Sequence, residues 1–211
     1  MKLKLLKHQI FKLGIAALLH DIGMIRIPEN LVNKKENLTD EEFRIVKHHL
    51  VYSYIIIMNE IGYHKEIAEY TLFHHENWDG SGYSKKINGE KIPLISRIIA
   101  VADTYVALIH ERPYKNRING YQAMKTIIGN NGKRFDPAVI RALLKSIGVY
   151  PIGSIVQLNN YLVGKVIDFP SHNIFRPRIQ FLKEYSEKGI KRYDILDLRK
   201  EEKLFIKNIM E

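Results

Sequence analysis

Apolar positions recur every three or four residues along the first two thirds of the chain, which predicts one helix after another. The first covers about Leu3 to Ile22 and ends on the pair His20-Asp21. The next opens on Thr39, with Glu42 three residues on. That spacing is a capping box, in which the glutamate reaches back to the cap amide. This helix is expected to run through His48 and His49 toward Met58, and another to run from about His64 to Glu76. Helical spacing resumes from about Leu94 to His110, near Gly120 to Ile128, and from Asp136 to Ser146 with Pro137 in its first turn. Between them, Asn77 to Pro93 (NWDGSGYSKKINGEKIP) follows neither period and reads as a loop with functional potential.

After Gly148 the pattern changes. Short β-favouring runs appear at Ser154 to Leu158, Gly164 to Phe169, Arg178 to Leu182 and Asp194 to Leu198. Turn-like segments such as Asn159-Asn160 and Lys188-Gly189 separate them. A final helix is expected near Glu201 to Ile209. The chain is therefore expected to be mainly α: a helical domain over 1–147, then a small antiparallel β subdomain over 148–211 with a terminal helix. The longest apolar run, Leu50 to Met58, is too short for a membrane span and is interrupted by Ser53. The lysine-containing amino terminus reads as an amphipathic helix rather than a signal peptide.

Composition narrows the chemistry. The 211 residues include no cysteine, which excludes disulfides, thiol catalysis and cysteine-ligated zinc and suits a reducing compartment, so the cytoplasm is expected. The net charge is +10, but the surplus is spread: 22 basic and 15 acidic residues up to Val149, then 11 and 8. With no basic block or stripe, no polynucleotide partner is expected. A diffuse positive surface suits a small anionic substrate.

Seven of the nine histidines lie between His20 and His110. His8, His64, His110 and His172 read as ordinary core or surface groups. His20-Asp21 and His74-His75 each end an apolar helix, where a buried face turns toward a cavity. His48 and His49 are adjacent, so one of the two faces that cavity. Imidazoles and carboxylates from several helices, without thiolate, suit iron or manganese as much as zinc. A carboxylate bridging two ions would polarise a phosphoryl oxygen and lower the pKa of a bound water, which points to phosphoester hydrolysis.

The same segments carry a family resemblance. ALLHDIG (Ala17 to Gly23), IP-x-x-L (Ile27 to Leu31), LTDEEF-x-x-x-K-x-H (Leu38 to His49), HHENWDGSGY (His74 to Tyr83), G-x-x-IPL-x-x-RI-x-AVAD (Gly89 to Asp103) and ERPYK (Glu111 to Lys115) resemble the HD-GYP family. G-x-x-FDP-x-V (Gly132 to Val139) and G-x-YP-x-GS-x-V-x-L (Gly148 to Leu158) are similar as well. The resemblance implies an HD-type helical bundle and a phosphodiesterase that hydrolyses cyclic di-GMP to pGpG and onward to GMP. It implies two divalent metal ions, with His20, Asp21, His49, His74, His75 and Asp103 as ligands and Asp21 bridging. Arg112 and Lys115 would hold substrate phosphates. Asp79, Gly80, Gly82 and Tyr83 form the signature loop, which reads equally well as a tight structural connection. A diguanylate cyclase domain or an upstream sensory domain is the implied partner.

The chain departs from the family pattern at several points. Met24 stands where a lysine usually follows HDIG, with Arg26 two residues on as a candidate substitute. Ser84 replaces the proline of GYP, and Val106 stands where a further aspartate is usual. Only 19 residues precede His20, where family members carry further helices with an additional ligand. These departures motivate a second reading, a degenerate module that binds cyclic di-GMP or a protein without turnover. A third is a hydrolase acting on another phosphate ester.

Overall fold

The computed structural model describes residues 3–110, 118–170, 173–182 and 193–210. Arg112, Lys115, His172 and the Lys188-Gly189 turn lie outside them. The helical spacing is realised as α1 (Lys7–Leu19), α2 (Glu29–Val32), α3 (Asp40–Lys47), α4 (His49–Ile55), α5 (Lys65–Leu72), α6 (Leu94–Ile109), α7 (Gly120–Gly129) and α8 (Pro137–Ile147). The chain divides into two units. One comprises Met1–Arg117 with Ile127–Ile140, and the other Ile118–Thr126 with Arg141–Glu211.

In the first unit, Ala16, Ile57, Ile67, Ala68, Ile95 and Ile99 form the buried core, with Leu13, Leu19 and Tyr54 packed against it. The capping box is present: Thr39 Oγ1 accepts from Glu42 N at 3.2 Å, and Glu42 Oε2 accepts from Thr39 N at 2.8 Å.

Two helix boundaries differ from expectation. The first helix stops at Leu19 rather than Ile22, and a 3-10 turn follows over Ile22–Arg26. Gly23 lies in that turn. A Cβ there would lie 2.1 Å from the His49 carbonyl oxygen and 2.5 Å from Ser53 N, so only glycine fits where the turn meets α4. The expected single helix from Thr39 to Met58 tightens at His48, whose N–H bonds to Ile45 O at 3.0 Å, and ends in a π turn at Ile56–Glu60.

The second unit holds a five-stranded antiparallel sheet in the order β4-β3-β2-β1-β5. Its strands are β1 (Ile155–Leu158), β2 (Val163–Asp168), β3 (Arg178–Leu182), β4 (Tyr193–Asp197) and β5 (Ile206–Met210). Val156, Leu158, Val166, Ile179 and Leu198 are its buried core.

The expected terminal helix is instead β5, paired with β1. Val156 faces Ile209 and Leu158 faces Ile206, with a bulge between, so two isoleucines three residues apart reach the same core. A bulged strand thus imitates helical spacing. No helix among the described residues is long and apolar enough to cross a membrane.

Candidate metal centre

Three imidazoles are oriented by one local device. His20 Nδ1 bonds to Ala17 O at 2.8 Å, His49 Nδ1 to Val46 O at 2.6 Å, and His74 Nδ1 to Thr71 O at 2.7 Å. In each case a carbonyl three residues earlier accepts from Nδ1–H and fixes the ring. Nε2 is left facing the other residues of the cluster.

Those three Nε2 atoms are buried and have no hydrogen-bond partner among the described residues. They converge on Asp21. His49 Nε2 lies 3.4 Å and His74 Nε2 3.6 Å from Asp21 Oδ1, while His20 Nε2 lies 3.4 Å from Oδ2. His20 Nε2 is also 3.9 Å from Asp103 Oδ1 on α6. Ligand atoms of Asp21, His49, His74 and His75 all fall within 4.8 Å of one another. Imidazole nitrogens from three segments are gathered on one carboxylate, within ligand distance of a shared point. The donor set therefore fits a divalent metal.

The electrostatics agree. Burial holds His74 down at about 4, and burial together with His74 and His49 holds His75 down at about 2, so both are neutral lone-pair donors at neutral pH. Burial opposes ionisation of Asp103, yet the His20 imidazole beside it outweighs burial and holds the carboxyl below its usual range. Burial likewise opposes charge on His20, but Asp103 and Asp21 raise it to about 9. The two carboxylates draw positive charge to this point.

The backbone around the cluster is stapled by Ser53. Its Oγ donates to His20 O at 3.0 Å and accepts from Gly23 N at 2.9 Å, tying α4 to the turn after Asp21. The only sign of Ser53 in the sequence is a hydroxyl in the middle of an apolar run.

The glycine loop forms one wall. A Cβ on Gly82 would sit 2.6 Å from His75 O, so glycine is required there, and the Tyr83 ring stacks on His75 at 4.9 Å and 28°. Asp79 Oδ1 accepts from Ser81 N and Ser81 Oγ, a local turn, while Gly80 takes φ +85°. Asp79 and Gly80 therefore shape the loop, and Gly82 and Tyr83 bring it to the histidines. The loop is held from behind, where Trp78 N donates to Arg134 O and Asp79 N to Lys133 O. Arg97 pairs with Asp136 at 2.7 Å and lies over the Trp78 ring.

The structure brings His20, Asp21, His49, His74, His75 and Asp103 together. His48 lies beside Tyr52 instead. Arg26 is engaged by Glu60 and lies over Tyr52, so it is not a free replacement for the lysine absent at Met24. Ser84 has φ +125°, an angle that the fixed φ of proline excludes, so this loop follows a path of its own.

The HD domain family matches residues 1–139, and a KOW domain associated with HD domain matches residues 155–211. A cyclic di-GMP phosphodiesterase of Pseudomonas aeruginosa is 36% identical over 167 residues, covering 79% of this chain and 40% of that protein. Another, from Borreliella burgdorferi, is 35% identical over 166 residues, covering 79% and 44%. The chain spans less than half the length of these curated relatives. A solved cyclic GMP-AMP specific phosphodiesterase of Vibrio cholerae shares the fold with a TM-score of 0.50 at 19% identity, covering 69% of this chain and 40% of that one.

Proposed function

This chain belongs to the HD domain family, and on that premise we propose that it is a metal-dependent phosphodiesterase that opens cyclic di-GMP to linear pGpG. Relatives named cyclic di-GMP phosphodiesterases support the substrate. The observation that carries the reading is the sharing of Asp21, whose Oδ1 faces His49 and His74 while Oδ2 faces His20. A carboxylate divided in this way is suited to bridging two cations. We assign His20, Asp21, His49, His74, His75 and Asp103 as ligands of two divalent ions, iron or manganese, because the donors are imidazole and carboxylate without thiolate.

Ions held there would supply Lewis acidity at the phosphoryl oxygens and a water of lowered pKa. The chain's residues do the rest. His74 and His75 stay neutral, so no proton competes for their lone pairs. The Nδ1 bonds hold the rings of His20, His49 and His74 in place before substrate arrives. Tyr83 covers the outer face of His75 and keeps water from that side.

Arg112 and Lys115 are assigned to the substrate phosphate, since a guanidinium fork and a mobile ammonium suit a phosphodiester. We place the chemistry in residues 1–147 and assign none to 148–211. Cyclic di-GMP needs a diguanylate cyclase to supply it, and the cytoplasm, where a cysteine-free chain is at home, is the compartment proposed.

The test is a product assay. Protein loaded anaerobically with iron or manganese is mixed with cyclic di-GMP and the nucleotides are separated by chromatography. Linear pGpG from the unmutated chain, and none from a His20→Ala, Asp21→Ala variant or after chelation, is the expected result. Intact substrate with metal bound contradicts the proposal. Cyclic di-GMP binding that survives chelation would then favour a binding module.

A further inference from the structure

Among the proposed ligands, His75 is oriented differently from the others. Among the described residues its ring makes no hydrogen bond like those that fix His20, His49 and His74 to their own helices. It is held instead by packing against Tyr83 at 4.9 Å, His74 at 4.0 Å and His49 at 5.3 Å, and by the bond from Tyr83 N to His75 O at 3.3 Å. The position of this ligand is therefore set by the loop that carries Tyr83.

Beyond Tyr83 the loop takes an unfavourable path. Ser84 and Lys86 have φ of +125° and +54°, angles that L side chains rarely adopt and that persist only where the surroundings enforce them. Glu76 provides the enforcement. Its Oε1 accepts from Lys85 N at 2.5 Å and Lys86 N at 2.9 Å, so one carboxylate oxygen clamps the backbone directly after Ser84. Glu76 is 3% exposed, and its Oε2 is buried without a partner among the described residues. A buried carboxylate that is half unsatisfied is a poor choice for stability alone, which points to a positional role.

We propose that Glu76 is a positioning residue for the metal centre: it clamps the loop at Lys85 and Lys86, and the loop presses the Tyr83 ring onto His75. The inference rests on the reading of His75 as a ligand, and it concerns how that ligand is held.

Mn²⁺ titration of the full chain, followed by the visible spectrum of the Co²⁺-loaded protein, tests it without any activity measurement. Glu76→Ala is expected to weaken Mn²⁺ binding about 10-fold, the scale of losing a residue that orients a ligand. It should also alter the Co²⁺ spectrum. Glu76→Gln keeps an acceptor oxygen and is expected to bind like the unmutated chain. Tyr83→Ala should lose as much as Glu76→Ala, and the double variant no more than either, because both act through one contact.

Emission from Trp78, the single tryptophan, reports whether the loop's rear anchor survives in each variant. If Glu76→Ala does not fold, Tyr83→Phe against Tyr83→Ala decides, with the ring alone restoring affinity. Additive losses in the double variant overturn the inference, as do unchanged Mn²⁺ affinity in a less stable Glu76→Ala, or a Glu76→Gln as weak as Glu76→Ala. If the unmutated chain binds no Mn²⁺, the ligand reading falls and takes this inference with it. If it binds Mn²⁺ and Glu76→Ala does so equally, only the inference falls.

Discussion

At the scale of single residues, the site depends on contacts that leave no spare room. Gly23 allows the turn after Asp21 to touch α4, so Gly23→Ala must push the His49 carbonyl away. Overpacking of this kind costs about 3 kcal/mol. Because it moves His20, Asp21 and His49 relative to one another, metal affinity is expected to fall along with the thermal midpoint in calorimetry. Ser84 offers the opposite case. Replacing it with glycine removes a strained φ worth about 1 kcal/mol. The melting temperature of Ser84→Gly is expected to rise by about 2–4 °C, the scaling for a chain of this size.

The pairs His20-Asp21 and His74-His75 stand out in the sequence at helix ends, whereas His49 rather than His48, and Asp103, follow only from the family resemblance. The orientation of these side chains is not legible there. It comes from carbonyls three residues back, which every helix has, and from Ser53 and Glu76, whose partners are 33 and about ten residues away.

At the scale of elements, local chemistry is legible in the sequence and tertiary intrusion is not. The capping box at Thr39 forms because both of its halves lie within one turn. Thr39→Ala is expected to cost about 1 kcal/mol in urea unfolding, the usual loss for an N-cap. The helix from α3 to α4 is tightened at His48, next to the point where the ring of His49 takes the carbonyl of Val46. That competition cannot be seen in apolar spacing. Nor can that spacing show that the turn after the amino-terminal helix packs Gly23 against the backbone of α4. The sequence of β5 predicts a helix because its bulge places Ile206 and Ile209 on one face at a spacing of three. Four of the five strands were legible from period-two runs; the fifth has no such run.

At the scale of the whole molecule, the net charge of +10 is spread along the chain rather than gathered in a stripe. A diffuse positive field speeds encounter with an anionic substrate and is screened by salt. Raising the ionic strength is therefore expected to raise the KM for cyclic di-GMP several-fold and leave kcat unchanged. A fall in kcat with constant KM would show that salt acts on the metal centre instead. The division of labour follows the chain: every residue assigned a ligand role among the described residues lies in the helical unit.

We assign the imidazoles of His20, His49, His74 and His75, with Asp103, to holding metal around Asp21. Anomalous diffraction at the manganese edge, from crystals grown with Mn²⁺, tests this assignment most directly. Two peaks are expected beside Asp21, one near His49, His74 and His75 and the other near His20 and Asp103. Peaks elsewhere, or a manganese-replete crystal with no peak at Asp21, would contradict it.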